Sequence, residues 1–180
     1  MRLDPAQGRG ALTQTADGEL ASAAAAGDVE AFTQLVRRHE SAIRAFLVRA
    51  GGREGADDLA QETFLKAWRK ASAYRGAGSY RGWLLRIAWT SLISARRKTN
   101  LEVEETAVER GHQPAVDAQI DAARALAGLD LRERAAALLC FGHGHSHAEA
   151  AQIMDVPLGT LKSIVARAKT KLALRLGESA

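Results

Sequence analysis

Cysteine occurs once, at Cys140, so no internal disulfide can brace the fold and a reducing compartment is expected. Only three prolines interrupt 180 residues, and aromatic residues make up 5% of them. No window shows the strict apolar–polar alternation of a half-buried strand, and none supplies the run of about 18 apolar residues that a membrane span needs. The opening MRLDPAQGRG has no apolar stretch of the kind a secretory leader carries, so a cytoplasmic protein without membrane insertion is expected. No Ser/His/Asp set, phosphate-cradling glycine loop or carboxylate pair stands at catalytic spacing. The expectation is therefore a protein that binds and does not catalyse, with no cofactor.

What remains is abundant alanine and leucine within a 47% hydrophobic composition, which favours helix. The net charge of +4 is unevenly spread. Residues 21–98 carry 14 Lys and Arg against 7 Asp and Glu, whereas residues 99–117 carry 1 against 5. Residues 118–180 return to a basic balance, 8 against 6. Two basic parts joined by an acidic tether suit a polyanionic partner. The expected architecture is all-α: a tail (1–20), a helical domain (21–98), a linker (99–117) and a second helical domain (118–177).

Residues 1–18 lack periodicity and read as a mobile tail. Asp28 is placed to cap a helix that carries Phe32, Leu35, Val36, Ile43, Phe46 and Leu47 to the Gly51-Gly52 stop. This helix reads as mainly structural. The next, from about Gly55 to Ala71, carries two stripes. Ala56, Ala60, Phe64, Ala67 and Trp68 would face a core, while Asp58, Gln61, Glu62 and Leu65 recur at i, i+3, i+4 and i+7 on another face. The helix dipole accounts for acids in a first turn, but not for Gln61, Glu62 and Leu65. A protein partner with a basic helical surface would.

The densest stretch is GSYRGWLLRIAWTSLISARRK, residues 78–98. Leu84, Ile87, Ala88, Leu92 and Ala95 keep core spacing. Tyr80, Arg81, Arg86, Trp89, Arg96 and Arg97 fall largely on other faces or at the ends, with Trp83 balanced between core and surface. Rings interleaved with guanidinium groups suit an unpaired nucleic acid strand, because cations track phosphates while rings stack on bases. In the second domain, Ser146 and Glu149 form a capping box, Asp155-Val156-Pro157 makes a break, and a basic helix follows from Leu158. This is a helix-turn-helix pattern, whose second helix presents its first turns to base edges. Thr160, Lys162 and Ser163 stand there, with Arg167 and Lys171 nearer phosphates.

Taken together, Asp58-Leu-Ala-Gln61-Glu62-Thr-Phe-Leu65-Lys-Ala-Trp68, Ser79-Tyr-Arg-Gly-Trp83-Leu-Leu-Arg86-Ile-Ala and Pro157-Leu-Gly159-Thr160-Leu-Lys162-Ser163 resemble the extracytoplasmic-function (ECF) sigma factors of the sigma-70 family. The resemblance runs from about Gly27 to Leu174. It implies an alternative sigma factor that binds bacterial RNA polymerase core, recognises promoters and helps open DNA for transcription initiation. Asp58, Gln61, Glu62 and Leu65 would dock on core polymerase. Tyr80, Arg81, Trp83, Arg86, Trp89, Thr90, Arg96 and Arg97 would bind the minus-ten element; Thr160, Lys162, Ser163, Arg167 and Lys171 would read the minus-thirty-five element. An anti-sigma partner and a stress-response role are further implications of the family, as is a linker lying in the polymerase's positively charged RNA exit path. Four positions depart from the common pattern. Trp89-Thr90 stands where Arg-Asn is frequent, Ser94 where Asp is frequent, and Ile164 where Arg is usual, so Ile164 is expected to offer an aliphatic contact to a thymine methyl.

Cys140, His143, His145 and His147 lie close together as CFGHGHSH, a set that could ligate zinc, nickel or copper. Alternating H-x-H spacing fits a closed tetrahedral site loosely, and a glycine-rich turn ahead of the helix-turn-helix is the favoured reading, with no metal. Two rival functions are a sigma-like decoy that engages an anti-sigma protein, and a stand-alone helix-turn-helix regulator of duplex DNA. The second leaves the Gln61/Glu62/Leu65 stripe unexplained.

Overall fold

The computed structural model describes residues 16–76, 78–103 and 124–177, and among them there is helix but no strand. Helix α1 covers residues 16–25, followed by α2 (Val29–Gly51) and α3 (Ala56–Arg69). A short 3-10 turn (Ala71–Ala73) leads to the long α4 (Tyr80–Val103). After the acidic linker, most of which lies outside the described residues, come α5 (residues 124–127) and α6 (Leu131–Ala137). The latter runs into a π-helical turn, Leu138–Gly142, ahead of α7 (His147–Met154) and α8 (Leu158–Gly177).

Local chemistry sets most of these boundaries. The Asp28 carboxylate accepts from the Ala31 amide at 3.0 Å and starts α2. Gly52, at φ 101°, ends it in a conformation that a side chain would strain. The Asp130/Glu133 and Ser146/Glu149 capping boxes start α6 and α7. Asp155 closes α7 at φ 55°, the one described non-glycine residue in the left-handed region. Helix α1 begins at residue 16, inside the stretch expected to be tail. Asp17 lies inside α1, where its buried carboxylate accepts from Arg38 Nη1 and faces His39 Nε2, each at 2.8 Å. Ala21 and Ala24 complete the docking of α1 on the core.

Helix α4 is the shared wall of the molecule. It packs against α2 and α3, and also against α7 from the C-terminal part of the chain. It continues to Val103, past Lys98 where the linker was expected to begin. One apolar cluster runs through both helical parts, from Leu35, Ile43 and Phe46 through Leu84, Leu85 and Trp89 to Ile153, Met154 and Leu161. The expected exposure of Tyr80 and Trp89 is therefore corrected: they are only 3% and 5% exposed. A helix enclosed on two sides has two apolar faces, and a search for one stripe leaves the second among the polar positions. Ile164 is corrected for a similar reason. It sits with Leu161, Val165 and Ala168 on the inward face of α8 and is buried, so it offers DNA no aliphatic contact in this conformation.

Candidate functional site

The polar stripe of α3 is on the surface as spaced. Asp58, Gln61 and Glu62 are exposed, and Leu65 leaves 57% of its surface to solvent. Glu62 pairs with Lys66 at 2.6 Å, one turn on, and Lys66 also donates to the buried Ser91 hydroxyl on α4 at 3.0 Å. Beside the stripe lies a groove of about 1210 Å³ between α2 and α3. Phe32, Val36, Val48, Phe64, Leu65 and Trp68 give it an apolar lining, and Gln61 stands on it as well. The Phe32 and Trp68 rings meet at 5.0 Å, and Arg44 bridges to Asp57 across the groove-lining residues. Sequence reasoning missed α2's contribution and took that helix as mainly structural. The available signal was an apolar arc wider than one core face requires: Val29, Phe32 and Val36 add to Leu35, Ile43 and Leu47, and Val29 is 64% exposed.

A second constellation gathers at the start of α4. Tyr74, Tyr80 and Trp83 form a three-ring cluster with centroids 5.1–5.6 Å apart, and His39 packs on Tyr80 at 5.7 Å. The Tyr74 hydroxyl donates to the Gly78 carbonyl at 3.1 Å and closes the glycine-bearing loop. Burial pushes the Tyr80 hydroxyl far above its ordinary range, aided by the Asp17 charge, so it stays neutral. His39 is held below its ordinary value by burial, which outweighs the neighbouring Asp17 carboxylate. Trp83 is half-buried, with part of its ring at the surface.

Along α4 the remaining candidates divide. Arg86, Thr90, Arg96 and Arg97 are exposed and Arg81 is half-buried. Thr90 Oγ1 donates to the Arg86 carbonyl at 2.8 Å, and Arg96 donates to the Gly51 carbonyl at the end of α2. Three candidates are held by the C-terminal helices. Arg81 Nη2 donates to the His143 carbonyl at 3.2 Å, Arg86 Nη2 pairs with Asp155 Oδ1 at 3.1 Å, and the Trp89 indole donates to the Met154 carbonyl at 3.2 Å.

On α8, Thr160, Lys162 and Ser163 are exposed in the first turns. Arg167 and Lys171 are tied to Glu133, at 3.4 and 2.7 Å. Glu133 is 1% exposed; burial pushes its carboxyl up, but Lys171, the Asp130 amide and Arg167 together hold it below the ordinary carboxylate value. Of the cysteine–histidine run, Cys140 is half-buried and burial raises its thiol. His143 and His145 turn toward the N-terminal helices with ring centroids 6.4 Å apart, and His147 is exposed. Among the described residues no three metal-ligating side chains converge. None of the described helices is long and apolar enough to cross a membrane.

Comparison with known proteins agrees with this division of the chain. The model for sigma-70 region 2 matches residues 35–102, and that for sigma-70 region 4 matches residues 120–172. The ECF RNA polymerase sigma factor SigM of Mycobacterium tuberculosis is 36% identical over 96% of this chain and 91% of its own. RNA polymerase sigma factor NccH of Alcaligenes xylosoxydans xylosoxydans is 33% identical over 91% of this chain and 96% of its own. Among solved structures, the sigma factor RpoE of Bartonella quintana, in complex with the anti-sigma factor NepR, superposes with a TM-score of 0.71. It is 30% identical, over 83% of this chain and 98% of that one. CnrH, in complex with the cytosolic domain of CnrY, gives 0.69 at 28% identity, over 92% of this chain and 99% of that one. With two region models in order, and a relative aligned almost end to end, the chain belongs to the ECF sigma factors of the sigma-70 family.

Proposed function

We propose that this chain is an alternative sigma factor that binds bacterial RNA polymerase core and directs it to particular promoters. The observation that carries the reading is the pairing on α3 of an exposed acidic and polar stripe with an open apolar groove. Asp58, Gln61 and Glu62 offer charge and hydrogen bonds, while Leu65 and the groove beside it offer apolar area to the same partner. That combination suits a helical polymerase surface carrying basic residues. The arginine-bearing α4 then meets the minus-ten element through Arg81, Trp83, Arg86, Thr90, Arg96 and Arg97, while Tyr80 and Trp89, buried in the core, support that surface from behind. The exposed first turns of α8 meet the minus-thirty-five element through Thr160, Lys162 and Ser163, with Arg167 and Lys171 toward phosphates. An anti-sigma protein is a further partner.

The physical account needs no covalent step. Stacking contributes about 1–3 kcal/mol per base, and unpairing costs a few kcal/mol per flipped base. Ring stacking and phosphate contacts on α4 therefore offset the loss of pairing once the polymerase holds both DNA-reading parts in place. Competition against a housekeeping sigma factor for purified core polymerase tests the reading. Wild type is expected to compete, and Asp58→Ala/Gln61→Ala/Glu62→Ala to lose at least tenfold in affinity. Failure of the folded wild type to compete overturns it. In that case, tight salt-dependent binding to duplex DNA by the chain alone marks a stand-alone regulator.

A further inference from the structure

Helix α1 docks through small apolar contacts, Ala21 and Ala24 with Leu20 beside them, and through one carboxylate. Asp17 is 5% exposed, and both of its oxygens are engaged: Oδ1 accepts from Arg38 Nη1 and Oδ2 from His39 Nε2, each at 2.8 Å. A carboxylate only accepts, so the shared hydrogen sits on Nε2 and the imidazole is held in one tautomer and one plane. Burying a charged group is a poor way to secure a helix of ten residues, because desolvation offsets much of the attraction. What such a pair does well is fix the orientation of the groups it joins.

From His39 the contact passes outward through rings. His39 packs on Tyr80 at 5.7 Å, and Tyr80, itself buried, meets Tyr74 edge-on at 5.1 Å and Trp83 at 5.3 Å. Tyr74 and Trp83 touch at 5.6 Å and are the two rings of the cluster that reach the surface. The start of α4 is pinned locally, by the Gly82 amide donating to Ser79 Oγ at 3.0 Å. Ring contacts of this kind depend on angle as well as distance. A turn of the imidazole is therefore passed to Tyr80, and from Tyr80 to the two outer rings.

We propose that Asp17 is a positioning residue for promoter opening, acting through His39 and Tyr80 to hold Trp83 and Tyr74 at the pitch on which an unpaired base stacks. The inference rests on the sigma reading for the role of those two rings. Stacking needs an exposed ring face, so the pitch decides how much of it a base gains. Asp17 itself meets no DNA, and it lies on neither the α3 stripe nor the groove beside it. Its loss should weaken capture of a single strand and leave polymerase docking alone.

Holoenzyme assembled from the full chain and purified bacterial core polymerase tests this. A random-sequence pool of single-stranded DNA is enriched for strands held by the wild-type holoenzyme and not by core alone, and those strands, labelled, are the probe. Asp17→Asn, His39→Gln and the double variant are compared with wild type by fluorescence anisotropy and by competition for core, with circular dichroism confirming the fold. Ala21→Gly serves as a further variant, loosening α1 through helix propensity while keeping the carboxylate. Asp17→Asn and His39→Gln are each expected to compete for core within about twofold of wild type and to bind the probe about tenfold more weakly. The double variant should be no weaker than either single one, because the two residues act in series. Ala21→Gly should unfold more readily yet hold the probe within about twofold of wild type. Unchanged probe binding by Asp17→Asn overturns the proposal. So does an additive loss in the double variant, or an equal loss in Ala21→Gly, which would mark α1 as structural support only. A wild type that competes for core but enriches no strand overturns it as well. If the folded wild type does not compete for core, the sigma reading itself fails and the proposal falls with it.

Discussion

Glu133 holds together more of the C-terminal part than its one carboxylate suggests. It completes the capping box of α6 by accepting from the Asp130 amide at 3.2 Å, and it draws Lys171 and Arg167 of α8 onto the same helix. Replacing it with glutamine removes the charge but keeps the shape. Glu133→Gln is expected to lower stability by about 1–3 kcal/mol, read as a shift in the denaturant midpoint. The wild-type carboxyl lies below its ordinary value of 4.5 when folded, so its contribution is present above that value and is lost as pH falls below it. The pH dependence of unfolding below about 4.5 should accordingly be shallower in the variant. The substitution also frees both cations. If Arg167 and Lys171 contact phosphates, the variant's duplex affinity holds or rises even as its stability drops.

At the scale of the element, α3 and α7 were read from the sequence nearly as they stand, because their signals are local. Ser146 and Glu149 announce a helix start whatever surrounds them, and the i, i+3, i+4, i+7 spacing of Asp58, Gln61, Glu62 and Leu65 needs no tertiary information. Ser146→Ala should cost about 1 kcal/mol through the lost cap, measurable by thermal unfolding. Leu65→Asp, at a side chain more than half exposed, should change stability by no more than about 0.5 kcal/mol yet weaken polymerase competition at least tenfold. Helix α4 was harder to read. Trp89 looks like a surface aromatic until α7 is known to cover it, and nothing within residues 78–98 says so. The outer face of α2 was missed for the complementary reason: beyond the Phe32–Trp68 ring contact its extra apolar residues, such as the exposed Val29, line an open groove and fill no core. The π-helical turn at Leu138–Gly142 has no pattern that announces it. It turns Phe141 outward, 58% exposed, while Leu138 and Leu139 stay buried.

For the whole molecule, the contact between the two helical parts carries a charge balance that depends on protons. His143 is packed near Arg81 of α4, Arg49 of α2 and His145, and burial followed by these charges holds it below 6.5. His145 is likewise held below 6.5 by burial and Arg81, against a smaller opposing effect of Glu149. Both imidazoles take protons more readily when the parts are separated. The contact between the parts is therefore favoured above about 6.5 and weakened as pH falls below it. Small-angle scattering at about pH 7.5 and about pH 5.5 should show expansion at the lower value. The double variant His143→Gln/His145→Gln should show much less. An unchanged wild type across that interval removes the histidines from the account of that contact.

Because α4 walls in one part of the molecule and is covered by another, its residues cannot be tuned for DNA alone. A library that varies Arg86 or Trp89 to redirect promoter choice alters, at the same time, the bonds to Asp155 and Met154. Retargeting this protein is a problem in two objectives, and Met154, Asp155 and the His143–His145 turn belong in the same library as α4.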